Sequence, residues 1–393
     1  MTKRIERTEF LVFGSPLITD EDIQEVVDTL RSGWIGTGPR ATRFEEAFRE
    51  LIGCRYAIAV NSCTAALSLA LEISGIGSGD EVITTPLTFS ATANVVVHHG
   101  ARPVFADVDR ATGNILPDEI EKHVTSRTKA ILPVHLAGRP CQMDEIMSIA
   151  DAHDLLVIED AAHAIETTYC GRKAGNIGDF GAFSFYPTKS ITTGEGGMLT
   201  TNNEEWAERA RLLRLHGISS DAWSRYSDSG FKHYETVLAG YKYNMSDLQA
   251  ALGLHQIERL ERNLHHRETI WQMYSQGLDG LPGLVLPPEV KSKELGTVHA
   301  RHLYTIMVES ARAGLTRDDL MQRLKEMNIG AGVHYTALHL HKFYREMFGY
   351  QPDDLPNAKW ISERTLSLPL TAKMTYADAE DVIEAVRWIF GRD

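Results

Sequence analysis

The sequence predicts an α/β protein with a mostly parallel central sheet, helices on both faces, and a smaller C-terminal α/β domain. Short apolar runs rich in β-branched residues (RYAIAV, DEVITT, RPVFADV, KAILPVH and LLVIED) recur from Arg55 to Asp160, and segments that read as helices separate them. Strands that alternate with helices in this way pair in parallel, because each crossover returns the chain to the same end of the sheet. Further on, LDGLPGLVLPP (278–288) breaks the pattern with glycine and proline and reads as a boundary.

Taken in order, Asp20 to about Arg49 has a helical pattern interrupted at SGWIGTGP, where Gly33, Gly36, Gly38 and Pro39 force a turn. The five strands follow. GAFSFYP and GGMLTT lie close together and supply two more, consistent with an added antiparallel partner. Ser246 to about Gly277 reads as one long helix. Beyond the boundary come the apolar RHLYTIMV, a helix starting near Thr316, the segment GAGVHY and a final helix from about Thr375. Residues 1–255 are assigned to a large ligand-binding domain and 256–393 to a small domain that includes the connecting long helix.

The chain has 393 residues, 43% of them hydrophobic and 24% charged, enough for one large core and a smaller one. Its formal charge of -13, with no Lys/Arg-rich block to offset it, argues against nucleic acid or an anionic membrane as partner and favours a small molecule. Cys54, Cys63, Cys141 and Cys170 form no CxxC pair and no metal spacing with histidine, so they read as buried apolar residues in a reduced compartment. The sixteen histidines contain no HExxH, and no metal site is expected. MTKRIERTEFLVFG lacks the apolar centre of a signal peptide, and no apolar run approaches the ~20 residues that span a bilayer. A cytoplasmic protein is expected. GIGSGD (75–80) precedes a strand and has Asp80 where a dinucleotide fingerprint needs glycine; GEGG (194–197) lacks the Lys-Ser/Thr of a phosphate-binding loop.

One stretch stands apart. FSFYPTKSITTGEGG sets the single lysine Lys189 between a strand-like run and a glycine-rich turn. A lysine in a site acts as a fixed charge or as an amine that forms an imine. Imine chemistry with an aldehyde cofactor such as pyridoxal phosphate needs an acid for the ring nitrogen, a phosphate cup and a plate over the ring. Asp160 ends LLVIED at the carboxyl edge of the sheet, where open α/β sheets bind ligands; on the segment alone it equally fits a helix N-cap. His163 lies three residues on and is either beside the ring or a core histidine. In NSCTAAL, the N–H groups of Thr64 and Ala65 and the Thr64 hydroxyl face a helix N-terminus that suits an anion, or simply a capped helix. Ser184 is a further phosphate donor if the strand bends back, and Phe89 of TFSATANVV offers a stacking ring unless it is core.

Together, NSCTAAL, TFSATANVV, IEDAAHA, FSFYPTKSITTGEGG and GYKYNMSDLQAALG closely resemble the DegT/DnrJ/EryC1/StrS family of pyridoxal-phosphate-dependent sugar aminotransferases, in family order, from SGWIGTGP to LSLPL. The resemblance implies a fold-type I homodimer with a seven-stranded, mostly parallel sheet and active sites at the dimer interface. Carried over by position, Lys189 would form the imine with the cofactor, Asp160 would face the pyridine nitrogen, His163 would lie beside the ring and Phe89 would stack on it. Thr64, Ala65 and Ser184 would hold the phosphate, joined by Asn244 of YKYNMSD from the partner subunit. The family's dehydratase branch carries histidine where this chain has Lys189, so transamination is implied, with L-glutamate as donor and a nucleotide-linked keto sugar as acceptor.

The TxGEGG form after the lysine resembles members that act at C4. VHARHL (298–303) and LPNAKWISERTLSLPL (355–370) are most similar to the branch that aminates a UDP-linked 4-keto-pentose. Phe89 replaces that branch's typical tryptophan and FSFYPTK its FSFHAIK, which leaves a UDP-4-keto-6-deoxyhexose as the close alternative and dTDP- or GDP-sugars behind it. His334 and His339 of GVHYTALH either reach the site or pack the small domain. A non-catalytic binding protein would be expected to lack Lys189 or Asp160, and this chain has both.

Overall fold

The computed structural model describes residues 7–218, 235–289 and 296–391. Helices α1 (Asp20–Ser32) and α2 (Pro39–Ile52) come first, parted by the expected glycine turn, in which Gly33 closes α1 at φ 74°. The alternation then runs β1 (Tyr56–Val60), α3 (Cys63–Ile73), β2 (Glu81–Thr84), α4 (Ala91–His98), β3 (Arg102–Phe105), α5 (Pro117–His123), β4 (Thr128–Leu132), α6 (Met143–His153) and β5 (Leu156–Asp160). A small hairpin of β6 (Thr168–Tyr169) and β7 (Arg172–Lys173) precedes β8 (Phe180–Ser184), β9 (Gly197–Thr201) and α7 (Glu204–Leu213).

Seven of these strands form one sheet in the order β1-β9-β8-β5-β4-β2-β3. The pairs β2–β3, β2–β4, β4–β5 and β5–β8 are parallel, and β9 runs antiparallel between β8 and β1. Helices cover both faces, which is why Ile58, Val82, Ile83, Ile131, Leu132, Val157 and Ile158 are all fully buried and the strands read as unbroken apolar runs. Because β1 lies two antiparallel steps from β8, the carboxyl ends of β1, β2, β4, β5 and β8 open on the same edge.

Two local patterns set the spacing of that edge. In FSF, Phe183 and Phe185 point one way and pack edge-on against Phe48 and Phe44 at 4.9 and 5.1 Å, so Ser184 is turned to the other side. At the start of β9, Gly197 pairs with both Val60 and Ser184. A Cβ there would stand 2.4 Å from the carbonyl carbon of Ser62 and 2.5 Å from the amide nitrogen of Cys63. The last glycine of GEGG thus lets β9 pass directly beneath the N-terminus of α3.

The segment expected as one long helix is two, α8 (Asp247–Glu258) and α9 (Leu260–Gly277). They part at Arg259, whose N–H closes a tight turn on Gln256 O (3.2 Å) while its guanidinium reaches the buried Asp22 of α1 at 2.6 Å. The break divides labour. α8 packs on α1 and α2, and α9 sends Ile270, Trp271 and Tyr274 into the core of the small domain. That core is closed by β10 (Leu284–Val285), β11 (Tyr304–Val308) and β12 (Thr365–Leu368), an antiparallel sheet, and by α11 (Arg317–Glu326) and α14 (Tyr376–Phe390), with α10 (Ser310–Ala313), α12 (Lys342–Phe348) and α13 (Pro356–Ser362) between them. Capping boxes at Thr316 and Thr375 start α11 and α14 where the sequence places them. Leu11 bridges to Ile329 and joins the same core. Among the described residues, no helix is long and apolar enough to cross a membrane.

Gly197→Ala is expected to cost about 1–3 kcal/mol, because its methyl meets backbone rather than a movable side chain. Equilibrium urea unfolding of the variant against the parent measures it, and an unchanged midpoint would show that the α3–β9 approach is not tight.

Candidate active site

A cavity of about 610 Å³ opens between the carboxyl edge of the sheet and the small domain. Lys189, Asp160, His163, Thr64, Ser184 and Phe89 line it from the large domain, and His302, His334 and Tyr335 from the small one. Six of the eight site residues expected from the sequence therefore share one wall system.

Asp160 ends β5 beside its neighbour Glu159, and strand alternation sends the two carboxylates to opposite faces. Glu159 is fully buried and spent on structure: it accepts from Gly175, Ile177 and Gly178 N–H at 2.9, 2.8 and 2.8 Å and pairs with His135 at 2.9 Å. Asp160 faces the cavity. No helix follows it, so it caps none; its Oδ1 accepts from Ala162 N–H (3.1 Å) and its Oδ2 from Thr92 Oγ1 (2.8 Å), with Thr88 bonded to Thr92 in turn at 2.8 Å. Burial raises its proton affinity, opposed by Thr92, the Ala162 N–H and the Lys189 charge.

Lys189 sits in a turn closed by its own N–H on Tyr186 O at 2.9 Å. Burial pushes its pKa down to about 8, against the pull of Cys63 and Asp160. The Cys63 thiol is pushed well up by burial and by Asp160, against the Lys189 charge.

His163 uses both ring nitrogens: Nδ1 accepts from Ala137 N–H at 3.3 Å, which assigns the proton to Nε2, and Nε2–H donates to the Tyr335 hydroxyl at 3.2 Å. His302 lies against it with ring centroids 4.4 Å apart. Burial, reinforced by the Lys189 charge, lowers the proton affinity of His163, His302 and His334, the last to about 4. The lysine is surrounded by neutral imidazoles. His334 is further fixed by Ser367 Oγ at 2.9 Å and by Phe13 stacked at 5.3 Å.

Phe89 is 63% exposed, its ring 6.4 Å from that of Tyr335, so it is not core but a free aromatic face at the cavity mouth. At the head of α3, Ser62 is the N-cap and its Oγ accepts the Ala65 N–H at 3.1 Å. The expectation that Ala65 offers a free donor is thereby corrected: its N–H is spent on the cap and it does not line the cavity, while Thr64 does. Asn244 does not line the cavity of its own chain; its side chain is tied to Thr37 Oγ1 (2.5 Å) and Lys242 (2.7 Å). His339 is fully buried away from the cavity against Pro352 O at 3.3 Å, a packing residue. The thiols differ from expectation too: all four are free, but Cys170 is exposed and Cys63 lines the cavity. Thr92, Cys63, His302 and Tyr335 escaped the sequence reading. Thr92 alone carried a signal, its helical spacing from Thr88.

A sequence model described as the DegT/DnrJ/EryC1/StrS aminotransferase family matches residues 16–387. The chain belongs to that family. It is a pyridoxal-phosphate-dependent aminotransferase with a fold-type I core. The spore coat polysaccharide biosynthesis protein SpsC of Bacillus subtilis is 52% identical over 383 residues, covering 97% of each chain. Among solved structures, a Streptococcus pneumoniae protein in its PMP form superposes with TM-score 0.89 at 33% identity, covering 97% of this chain and 99% of that one. PseC of Helicobacter pylori, an aminotransferase involved in the biosynthesis of pseudoaminic acid, does so with TM-score 0.89 at 29% identity over 98% and 99%.

The neutral amine is the form that attacks an aldehyde, so the lowered lysine value fixes a pH dependence. Uptake of pyridoxal phosphate by the cofactor-free protein should speed up about tenfold per pH unit until about pH 8 and level off above it. Stopped-flow absorbance measures this; a rate still climbing toward an ordinary lysine value of roughly 10.4 would show that the amine is not desolvated.

Proposed function

We propose that the protein moves the amino group of L-glutamate to C4 of a nucleotide-linked 4-keto sugar, a UDP-4-keto-pentose or UDP-4-keto-6-deoxyhexose, for surface-polysaccharide or lipid A sugar synthesis. The observation that carries this is the desolvated Lys189 amine in one cavity wall with the buried carboxylate of Asp160. The C4 position and the UDP carrier are supported by the TTGEGG segment and by the likeness of the C-terminal motifs to the UDP-pentose branch. The polysaccharide destination is supported by the similarity to SpsC.

The residues present fit pyridoxal phosphate by their chemistry: an amine, a buried carboxylate, hydroxyls of Thr64 and Ser184 near a helix N-terminus, and the open face of Phe89. When bound, the cofactor supplies an aldehyde for the amine and a ring that takes up electron density as the substrate's Cα loses its proton. Asp160, aimed by Thr92 and the Ala162 N–H, keeps the ring nitrogen protonated. Lys189 Nζ would be the anchor and, once freed by the amino donor, a general base whose affinity lies close to working pH; it would take the proton from the donor's Cα and pass it to the cofactor's former aldehyde carbon, the reverse transfer placing a proton on C4 of the acceptor. His163, His302 and His334 stay neutral through the cycle, so none competes with Nζ for that proton. Asn244 is assigned to the phosphate of the partner subunit's site, which makes a homodimer the working unit, in the cytoplasm.

A half-reaction tests the substrate. After conversion with L-glutamate and removal of the excess, the pyridoxamine form should regain its aldehyde-form absorbance with a UDP-4-keto-pentose or a UDP-4-keto-6-deoxyhexose. Recovery with dTDP- or GDP-4-keto sugars alone would overturn the UDP assignment, and recovery with 3-keto sugars alone would overturn C4.

A further inference from the structure

A second, smaller chamber of about 30 Å³ shares Lys189 and His302 with the main cavity but not Asp160. Polar side chains make up much of its wall: Ser190, Gln256, Asn263 and Arg267. Two of these are already occupied. Gln256 is spent on Thr192 N–H and O (3.0 and 2.9 Å) and on Leu252 O (2.6 Å). Arg267 is spent on Glu166 (2.5 Å) and on the carbonyls of Arg301 and Ala300 (3.2 and 3.0 Å).

Asn263 and His302 differ. Each is only 7% exposed, and among the described residues neither side chain has a hydrogen-bond partner; His302 has ring contact with His163 alone. Their polar atoms open onto space that a water can enter, so water is the partner left to them. A space of about 30 Å³ is large enough for an ordered water, which needs two to four polar partners. Asn263, His302, Ser190 and the Lys189 amine supply that number.

We propose that this chamber is a hydration site for a single ordered water, held by Asn263 and His302, which gives the Lys189 amine a hydrogen-bonded partner whenever its nitrogen is not in covalent use. The inference rests on the transaminase role assigned to Lys189. Asn263 and His302 are positioning residues: they act on the reaction through the lysine. The titratable and charged groups facing the amine are Asp160 of β5, Cys63 of α3, and His163, His302 and His334, with Arg267 of α9 near His302 and neutralised by Glu166. None of them enters the small chamber except His302 and Arg267.

Two measurements on the full-length, pyridoxamine-phosphate-loaded protein test this. A crystal structure is expected to show one water within hydrogen-bond distance of Asn263 and His302; no density there would overturn the proposal without recourse to any variant. Competitive acetylation read by mass spectrometry gives the pH at which Lys189 is half labelled. Asn263→Leu removes the water, disfavours the ammonium and should lower that pH by about one unit, whereas Asn263→Asp places an anion there and should raise it. A midpoint unmoved in both variants would sink the idea. Failure of the parent to exchange its amino group in the half-reaction would be a separate result, counting against the proposed function and leaving the crystallographic water to be judged independently.

Discussion

Everything in the large domain converges on setting a lysine amine, crowded by protein, in the same cavity as a buried carboxylate. Moving Lys189 from its ordinary value to about 8 corresponds to a penalty on its ammonium on the order of 3 kcal/mol. Asp160 carries a like strain in the opposite sense, since burial raises its proton affinity. Such a pair is a poor source of stability, because desolvation takes back most of what the attraction gives. In the function proposed above its use is chemical: an amine that is part neutral near pH 8 would be both nucleophile and proton carrier, and the buried carboxylate would pair with a ligand's ring nitrogen.

The fold sustains this because the groups involved sit at strand ends whose register is set elsewhere. Parallel pairing delivers Ser62, Phe89, Asp160 and Ser184 to one edge. The phenylalanines of FSF lock β8 against α2, and Gly197 lets β9 draw β8 and β1 together beneath α3. From the small domain, His302, His334 and Tyr335 close the cavity with groups that burial keeps uncharged. In the proposed cycle their neutrality matters as much as their position, since a second cation beside Lys189 would compete for the proton it is assigned to move.

Much of this was legible in the sequence. The seven strands, the antiparallel insertion and the helix starts near Thr316 and Thr375 follow from local pattern, where propensity and tertiary structure agree. Lys189, Asp160, Thr64, Ser184 and Phe89, singled out from the sequence, all line the cavity, because strand ends and helix starts are local features. What escaped depended on contacts across the chain. Ala65 lost its donor to Ser62, three residues earlier, and the helix from Ser246 broke where Arg259 meets Asp22 of a distant helix. His334 and His339 look alike in GVHYTALH, yet only the folded small domain turns the first into the cavity and buries the second against Pro352. His302 and Tyr335 carry no local mark at all.

Borohydride reduction of the pyridoxal-phosphate-loaded protein, followed by peptide mapping, addresses the role of Lys189 most directly. Reduction fixes the cofactor to whichever amine holds it. The pyridoxyl group is expected on the peptide containing Lys189 alone. Its recovery instead on Lys173, the other lysine among the described residues whose proton affinity burial lowers, would contradict the assignment and with it the chemistry built on the cavity.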